Sequence, residues 1–400
     1  MDVRLARLET QQTRINGKDR YVIVIANRDI FENFHFEDQR VFSEWIKELA
    51  KHCVLGQLDK YYKSCSLTGT ADLTDGAYGD VMVAESREDG DLKVVIKTYR
   101  TDIPCPQGTK KKQKKNDPGE MVYDEIRVLR LLNDPSVLRL RGIFEEPGIK
   151  IIVTDYLEGG DLYKYMKKNN HVVNWREALE YTKGLLMSLA HLEKNRVVHR
   201  DIKMSNLALR FADGSYHIAL IDFGFAICLD DFPPGSELPR KFGTVGYYAP
   251  EVLAGAEMFD CRADVYSAGV LLSMMLSGEA AFSYTDIYDC IDKNTNGTLN
   301  WEAFSPARIC QKIPTEVMEL LQVMLRHRKK DRPFASKLLS DKAFDLLRKP
   351  GVLPHPKGNS KYATVVTLEE DQAFFVTDEN EARVSQISKS SFRNVEGDNQ

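Results

Sequence analysis

Apolar residues recur at every second position over much of the first third of the chain and at every third or fourth over the rest, so strands should give way to helices. The run Tyr21-Val22-Ile23-Val24-Ile25, closed by Asn27-Arg28-Asp29, predicts a strand, and a second short one is expected through Phe31, Phe34 and Phe36. Next, Val41, Phe42, Trp45, Ile46 and Leu49 share one helical face, with Asp38, Glu44, Lys47 and Glu48 opposite. Period two dominates from Leu67 to about Tyr99. A polar stretch with the basic run Lys110-Lys111-Lys112-Gln113-Lys114-Lys115 interrupts it and reads as a solvated loop. Helical spacing returns over Val122–Leu132. Beyond an extended segment from Lys150 to Asp155 it covers Trp175–Glu193, Ala263–Leu276 and Thr315–Leu325. A strand-rich part with one helix, then a helix-rich part, predicts an α+β fold of two lobes with a cleft between them. The expected divisions are a small β/α module over 1–52, a linker over 53–66, a large domain over 67–347 and a mobile polar tail over 348–400.

Composition narrows the class. With 43% hydrophobic and 28% charged residues the chain can bury large cores. A net charge of −4 supplies no general basic field, so nucleic acid is not an expected partner. Seven cysteines without a CxxC pair fit a reducing compartment better than a disulfide framework or a zinc site. No run of about eighteen apolar residues predicts a membrane-spanning helix. Charges throughout the first twenty residues speak against a signal peptide. A cytoplasmic setting is expected.

Several short segments carry chemistry. Leu73-Thr74-Asp75-Gly76-Ala77-Tyr78-Gly79-Asp80-Val81 holds two glycines where backbone would approach phosphates, although a glycine pair between strands on its own signals a hairpin. Val94-Val95-Ile96-Lys97 ends an apolar strand on a lysine, and Glu125 on the following helix could orient it by an ion pair. His199-Arg200-Asp201-Ile202-Lys203-Met204-Ser205-Asn206 puts a carboxylate, a lysine and an amide in one loop. Asp222-Phe223-Gly224 follows the apolar Ile218-Ala219-Leu220-Ile221, and Gly243-Thr244-Val245-Gly246-Tyr247-Tyr248-Ala249-Pro250-Glu251 closes the series. Phosphoryl transfer needs such parts: a phosphate cover, a cation, metal ligands, and a carboxylate near the acceptor hydroxyl.

In that order and spacing the segments resemble the eukaryotic protein kinase family, from Leu67 to about Leu347. The resemblance implies a bilobal fold and a serine/threonine kinase dependent on ATP and Mg²⁺, acting on protein substrates in signalling. Lys97 would contact phosphates and be held by Glu125, Asn206 and Asp222 would bind Mg²⁺, and Asp201 would take the substrate proton. Lys203 would neutralise the transferring group, and Lys203 with Thr244 is the serine/threonine form. Thr74, Gly76, Gly79 and Val81 would cover the nucleotide, with Val95 and Ala208 above and below adenine. Thr154 would be the gatekeeper, Asp155 to Leu157 the hinge and Asp161 a ribose contact. Asp264 would hold the catalytic loop, Arg332 would pair with Glu251, and Leu129, Leu140, His199 and Phe223 would stack as a column. Arg200 stands where many kinases pair an arginine with an activating phosphate. Ser236 is the single hydroxyl residue between Gly224 and Gly243, and Arg240 and Lys241 stand nearer Thr244. Asp230, Asp231 and Glu237 could supply the anion instead.

The departures are Thr74 for the first glycine, Val95 for alanine, Ala208 for leucine, and Ser205 and Met274 at two usual acidic positions, so a preference for arginine before the target serine is not expected. Residues 20–52 resemble the end of a pleckstrin-homology domain with a central Trp45, and the pair of domains is similar to one branch of protist calcium-dependent kinases. A phosphoinositide contact at a membrane is the accompanying partner expectation. Asp292 to Ala303 imitates an EF-hand loop, but Ala303 replaces the bidentate carboxylate, and a structural role is expected. The competing functions are a pseudokinase scaffold and a lipid-tethered adaptor without turnover. Oligomeric state stays open.

Overall fold

The alternating segments become one sheet. In this computed structural model, which describes residues 7–15, 18–26, 31–49, 53–64, 80–100, 118–168, 173–212, 215–232, 243–253, 260–282, 284–305 and 311–348, the strands of the first unit are β1 (Arg7–Ile15), β2 (Lys18–Ala26), β3 (Phe31–Phe36), β4 (Val54–Leu55), β5 (Tyr62–Ser64), β6 (Val81–Ser86), β7 (Lys93–Arg100), β8 (Leu140–Glu146) and β9 (Ile149–Asp155). Their order is β3-β2-β1-β4-β8-β9-β7-β6-β5. Two helices accompany them, α1 (Gln39–Leu49) and α2 (Pro118–Leu131).

The strands at 21–25 and 31–36 and the helix at 39–49 stand where the pattern puts them. Asp38 caps α1, its Oδ1 accepting from the Arg40 N–H at 2.7 Å. Of the expected apolar face, Phe42, Ile46 and Leu49 pack on the core, whereas Val41 and Trp45 remain exposed. The segment 53–66, expected as a linker, holds β4 and β5. β4 pairs in parallel with β1 and with β8, through Leu55 opposite Phe144, and β5 pairs with β6. Leu8, Ile23, Ile25, Cys53 and Leu55 therefore share one core with Val94, Ile96, Phe144 and Val153. Each such side chain contributes roughly 1.5–3 kcal/mol by leaving water.

The second unit, residues 134–137 and 157 onward, is helical as expected. Its helices are α3 (Leu162–Lys168), α4 (Trp175–Lys194), α5 (Pro250–Leu253), α6 (Arg262–Ser277), α7 (Ile287–Thr295), α8 (Thr315–Met324) and α9 (Ala335–Leu338), with two small ladders, β10 (Val197–Val198) with β13 (Ile227–Cys228) and β11 (Leu207–Ala212) with β12 (Ser215–Leu220). Every residue of α6 from Ala263 to Leu276 is buried, which its all-round apolar composition requires. Asn174 caps α4 by accepting from the Glu177 N–H at 2.9 Å. The fold is mixed α+β: a sheet-based unit followed by a helical one.

Candidate active site

In the first unit strand alternation sorts β7 into two faces. Val94 and Ile96 enter the core, and Val95, Lys97 and Tyr99 take the other face, against which α2 packs. Glu125 comes from α2, and Lys97 Nζ lies 3.2 Å and 3.3 Å from its two carboxylate oxygens. Tyr99 donates its phenol hydrogen to Glu125 Oε2. Sequence reasoning missed Tyr99, although its place two residues after Lys97 on one strand was the available signal. Val81 pairs with Lys97 and Val95 with Thr154, which is buried. The Asp155 carboxylate pairs with Arg141, also unforeseen, and its N–H donates to the Arg139 carbonyl at 3.1 Å. Thr74, Gly76 and Gly79 lie outside the described residues, as do Ser236, Glu237, Arg240, Lys241, the basic run at 110–115 and the tail.

The second unit gathers the loop residues. Asp201, Asn206 and Thr244 are all buried. Asp201 Oδ1 accepts from the Thr244 hydroxyl at 2.8 Å, and Asp201 Oδ2 accepts from Asn206 Nδ2 at 2.9 Å. Lys203 Nζ donates to Thr244 Oγ1 at 3.1 Å and stands 3.5 Å from Asp201 Oδ2. A carboxylate, an ammonium and an alcohol thus meet in one enclosed group, where charge-assisted hydrogen bonds are strong.

The loop's backbone is held from below by Asp264 of α6. Its Oδ2 accepts from the His199 N–H at 2.8 Å and its Oδ1 from the Arg200 N–H at 3.0 Å. Burial pushes the Asp264 carboxyl up, and these hydrogen bonds work in the opposite direction. Arg200 (φ 70°) and Asp222 (φ 59°) both occupy the left-handed region, which non-glycine residues enter only when their surroundings compel it. Arg200 Nε donates to the Phe225 carbonyl at 2.6 Å. The Ile221 N–H donates to the Asn206 carbonyl at 2.9 Å, and the rings of His199 and Phe223 meet edge-on at 5.0 Å, so Asp222 is tied to the same loop. Gly243 (φ 128°) approaches so closely that a Cβ there would sit 2.5 Å from the Arg200 carbonyl oxygen. Burial and the charge of Asp201 hold the Tyr248 phenol far above its usual pKa.

Asp161 caps α3, its Oδ1 accepting from the Lys164 N–H at 2.7 Å, and it bridges to the buried Ala208. The Leu157 carbonyl accepts from the Gly160 N–H at 3.3 Å. Glu251 and Arg332 form a two-pronged ion pair at 2.8 Å and 3.1 Å. Asp230, one of three acidic residues expected to serve Arg200, is paired with Arg196. Met274 is buried within α6. In the EF-hand-like stretch Asn294 and Thr295 are fully buried at the end of α7. Asn294 accepts from the Tyr266 hydroxyl at 3.2 Å and donates to the Tyr248 carbonyl at 2.9 Å, which is a structural role.

A family model described as "Protein kinase domain" matches residues 69–344. The chain is 34% identical over 173 residues to a probable serine/threonine-protein kinase 2 of Plasmodium falciparum, covering 43% of this chain and 33% of that protein. It is 32% identical over 163 residues to the serine/threonine-protein kinase SIK1 of Rattus norvegicus, covering 41% of this chain and 20% of that one. With the serine/threonine-protein kinase cds1 of Schizosaccharomyces pombe it shares 32% over 211 residues, 52% of this chain and 44% of the other. The matches span less than half the length of each of these relatives.

Proposed function

The chain belongs to the protein kinase family, and from that membership we propose that it transfers the γ-phosphate of ATP to serine and threonine hydroxyls of proteins. The observation that carries this reading is the Thr244 hydroxyl donating to Asp201 while accepting from Lys203. The Thr244 alcohol hydrogen-bonds the same carboxylate that a substrate alcohol would have to approach. Asp201 orients the acceptor hydroxyl and takes that proton as the oxygen attacks. Lys203 offsets negative charge on the group in flight, and Thr244 keeps carboxylate and ammonium in register. Lys97, steadied by Glu125, meets the phosphates that stay behind.

Asn206 and Asp222 offer hard oxygen donors on one loop system, a set that suits Mg²⁺ held jointly with phosphate oxygens. Bound there, the ion supplies charge neutralisation between the phosphates. No group of three or more His, Cys, Asp or Glu among the described residues offers a site independent of nucleotide. A scaffold without turnover has no need of Lys97, Glu125, Asp201, Asn206 and Asp222 together.

The same reading includes control without an activation-segment phosphate, supported by the sequence alone, where Arg240 and Lys241 stand at the positions nearest Thr244 and Ser236 is further away. Asp230 is not the anion for Arg200, because it pairs with Arg196. A cytoplasmic setting rests on the cysteine pattern and the charged start of the sequence. A pleckstrin-like, phosphoinositide-binding role for residues 20–52 rests on sequence resemblance alone, which a liposome pull-down tests. The central test is phosphorylation of a degenerate peptide library with Mg·ATP, beside an Asp201→Asn protein. Asp201→Asn should remove most turnover and leave nucleotide affinity nearly intact, because the loss falls on the transition state. Near-original turnover in that variant, or none in the unmodified chain, would refute the reading.

A further inference from the structure

Glu125 has a donor that phosphoryl transfer does not itself require. Tyr99 stands two residues beyond Lys97 on β7, on the same strand face, and gives its phenol hydrogen to Glu125 Oε2. Lys97 Nζ reaches both oxygens of that carboxylate, and the ammonium also lies 5.2 Å from the centre of the Tyr99 ring. Both Glu125 and Tyr99 are 4% exposed, so water is not at hand to replace either donor. A buried carboxylate is costly unless its lone pairs are satisfied.

The two donors differ in what they can fix. An ammonium is a compact point charge with three rotatable donors, so a lysine alone leaves the plane of a carboxylate undetermined. A phenol on a packed ring has one donor in one place. Burial and the charge of Glu125 keep this phenol protonated far beyond its usual range, so it donates at neutral pH.

We propose that Tyr99 is a positioning residue of the nucleotide site, fixing Glu125 so that Lys97 is presented in one place to the phosphates of a nucleoside triphosphate. This inference rests on the kinase reading above. The arrangement also explains how Lys97 can turn toward an anion without stranding its partner. As the ammonium leaves, Glu125 keeps a charge-assisted hydrogen bond, and α2 keeps its tether to β7.

The competing explanation is that Tyr99 simply fills space beneath α2. Tyr99→Phe separates the two, because it keeps the ring and deletes one hydroxyl. The measurement is the Kd of Mg·ATP by calorimetry for four full-length chains: unmodified, Tyr99→Phe, Lys97→Ala and the double variant, each checked for folding by circular dichroism. If Tyr99 acts through Lys97, Tyr99→Phe weakens binding about tenfold, or about 1.4 kcal/mol, where Lys97 is present, and has little effect where it is absent. A weakening at least about fivefold greater with Lys97 than without supports the proposal, since coupled residues give such non-additive effects. Similar factors in both backgrounds, or none in either, overturn it and leave the kinase reading standing. An unmodified chain that binds no Mg·ATP would reject the kinase reading and this inference together.

Discussion

Arg332 is the place where a single substitution should cost most. Its side chain has no exposed surface, and its guanidinium donates to Glu251 Oε1 at 2.8 Å and Oε2 at 3.1 Å. It also donates to the carbonyls of Arg262 at 2.8 Å, Arg326 at 3.0 Å and 3.1 Å, and His327 at 3.3 Å, and lies over the Tyr266 ring at 4.9 Å. Arg332→Met keeps much of the volume and leaves the Glu251 carboxylate buried without its charge partner. Removing one member of a buried pair costs about 3–5 kcal/mol. Three carbonyls losing a donor push this toward the upper end. Against a usual total of about 5–15 kcal/mol, that is a large fraction of the stability of the unit. Arg332→Met with Glu251→Leu removes both charges and should recover most of the loss, because an apolar replacement for a buried pair is often neutral. The assay is hydrogen exchange of the α6 amides in rising urea, which reads this unit without assuming that the whole chain unfolds in one step. A cost below about 1 kcal/mol for Arg332→Met, or a double variant no better than the single, would refute the reasoning.

Gly243→Ala would force a Cβ to within 2.5 Å of the Arg200 carbonyl and 2.6 Å of the Tyr248 ring. It should lower kcat at least about tenfold, roughly 1.4 kcal/mol in the barrier, with nucleotide affinity retained, and full activity in a steady-state assay would contradict this. Burial pushes the thiols of Cys261 and Cys290 up to about 12. Neither should alkylate with iodoacetamide in the folded protein at neutral pH, and mass spectrometry finding either one modified before urea is added would show the burial argument wrong.

The grouping of Asp201, Lys203 and Asn206 was legible because the three lie within six residues, and short-range spacing survives in a sequence. The long helices were legible too: α4 and α8 bury one face and leave a periodic trace, and α6, buried all round, is an apolar run too long for a strand. β1 left none. Of the described side chains along Arg7–Ile15, Leu8 alone is buried, and the strand is specified by its nine-pair ladder with β2. β4 is two residues long, and its partner Phe144 is remote in sequence, so no local pattern announces it. The Glu125 environment was half legible. The lysine and glutamate carry charge and attract attention, but a tyrosine on a strand reads as packing until its hydroxyl is seen to donate. Asn294 illustrates the opposite error that spacing invites, because an oxygen-bearing residue at a calcium-like interval here faces inward to a backbone carbonyl and a phenol.

The stretch shared with other kinases begins at residue 69, while the sheet begins at residue 7. β1 to β5 all precede the shared stretch, yet they supply both flanks of the sheet that holds Lys97. What is inherited as a family and what folds as a body are therefore different lengths of chain. A transplant of residues 69–344 into another protein would strip β4 from β8 and β5 from β6, and among the described residues no other strand covers those two edges. It would also uncover Phe144, against which Tyr61 and Tyr62 now stack. Shuffling this catalytic unit between genes would need residues 7–64 to travel with it, or other strands to take their place.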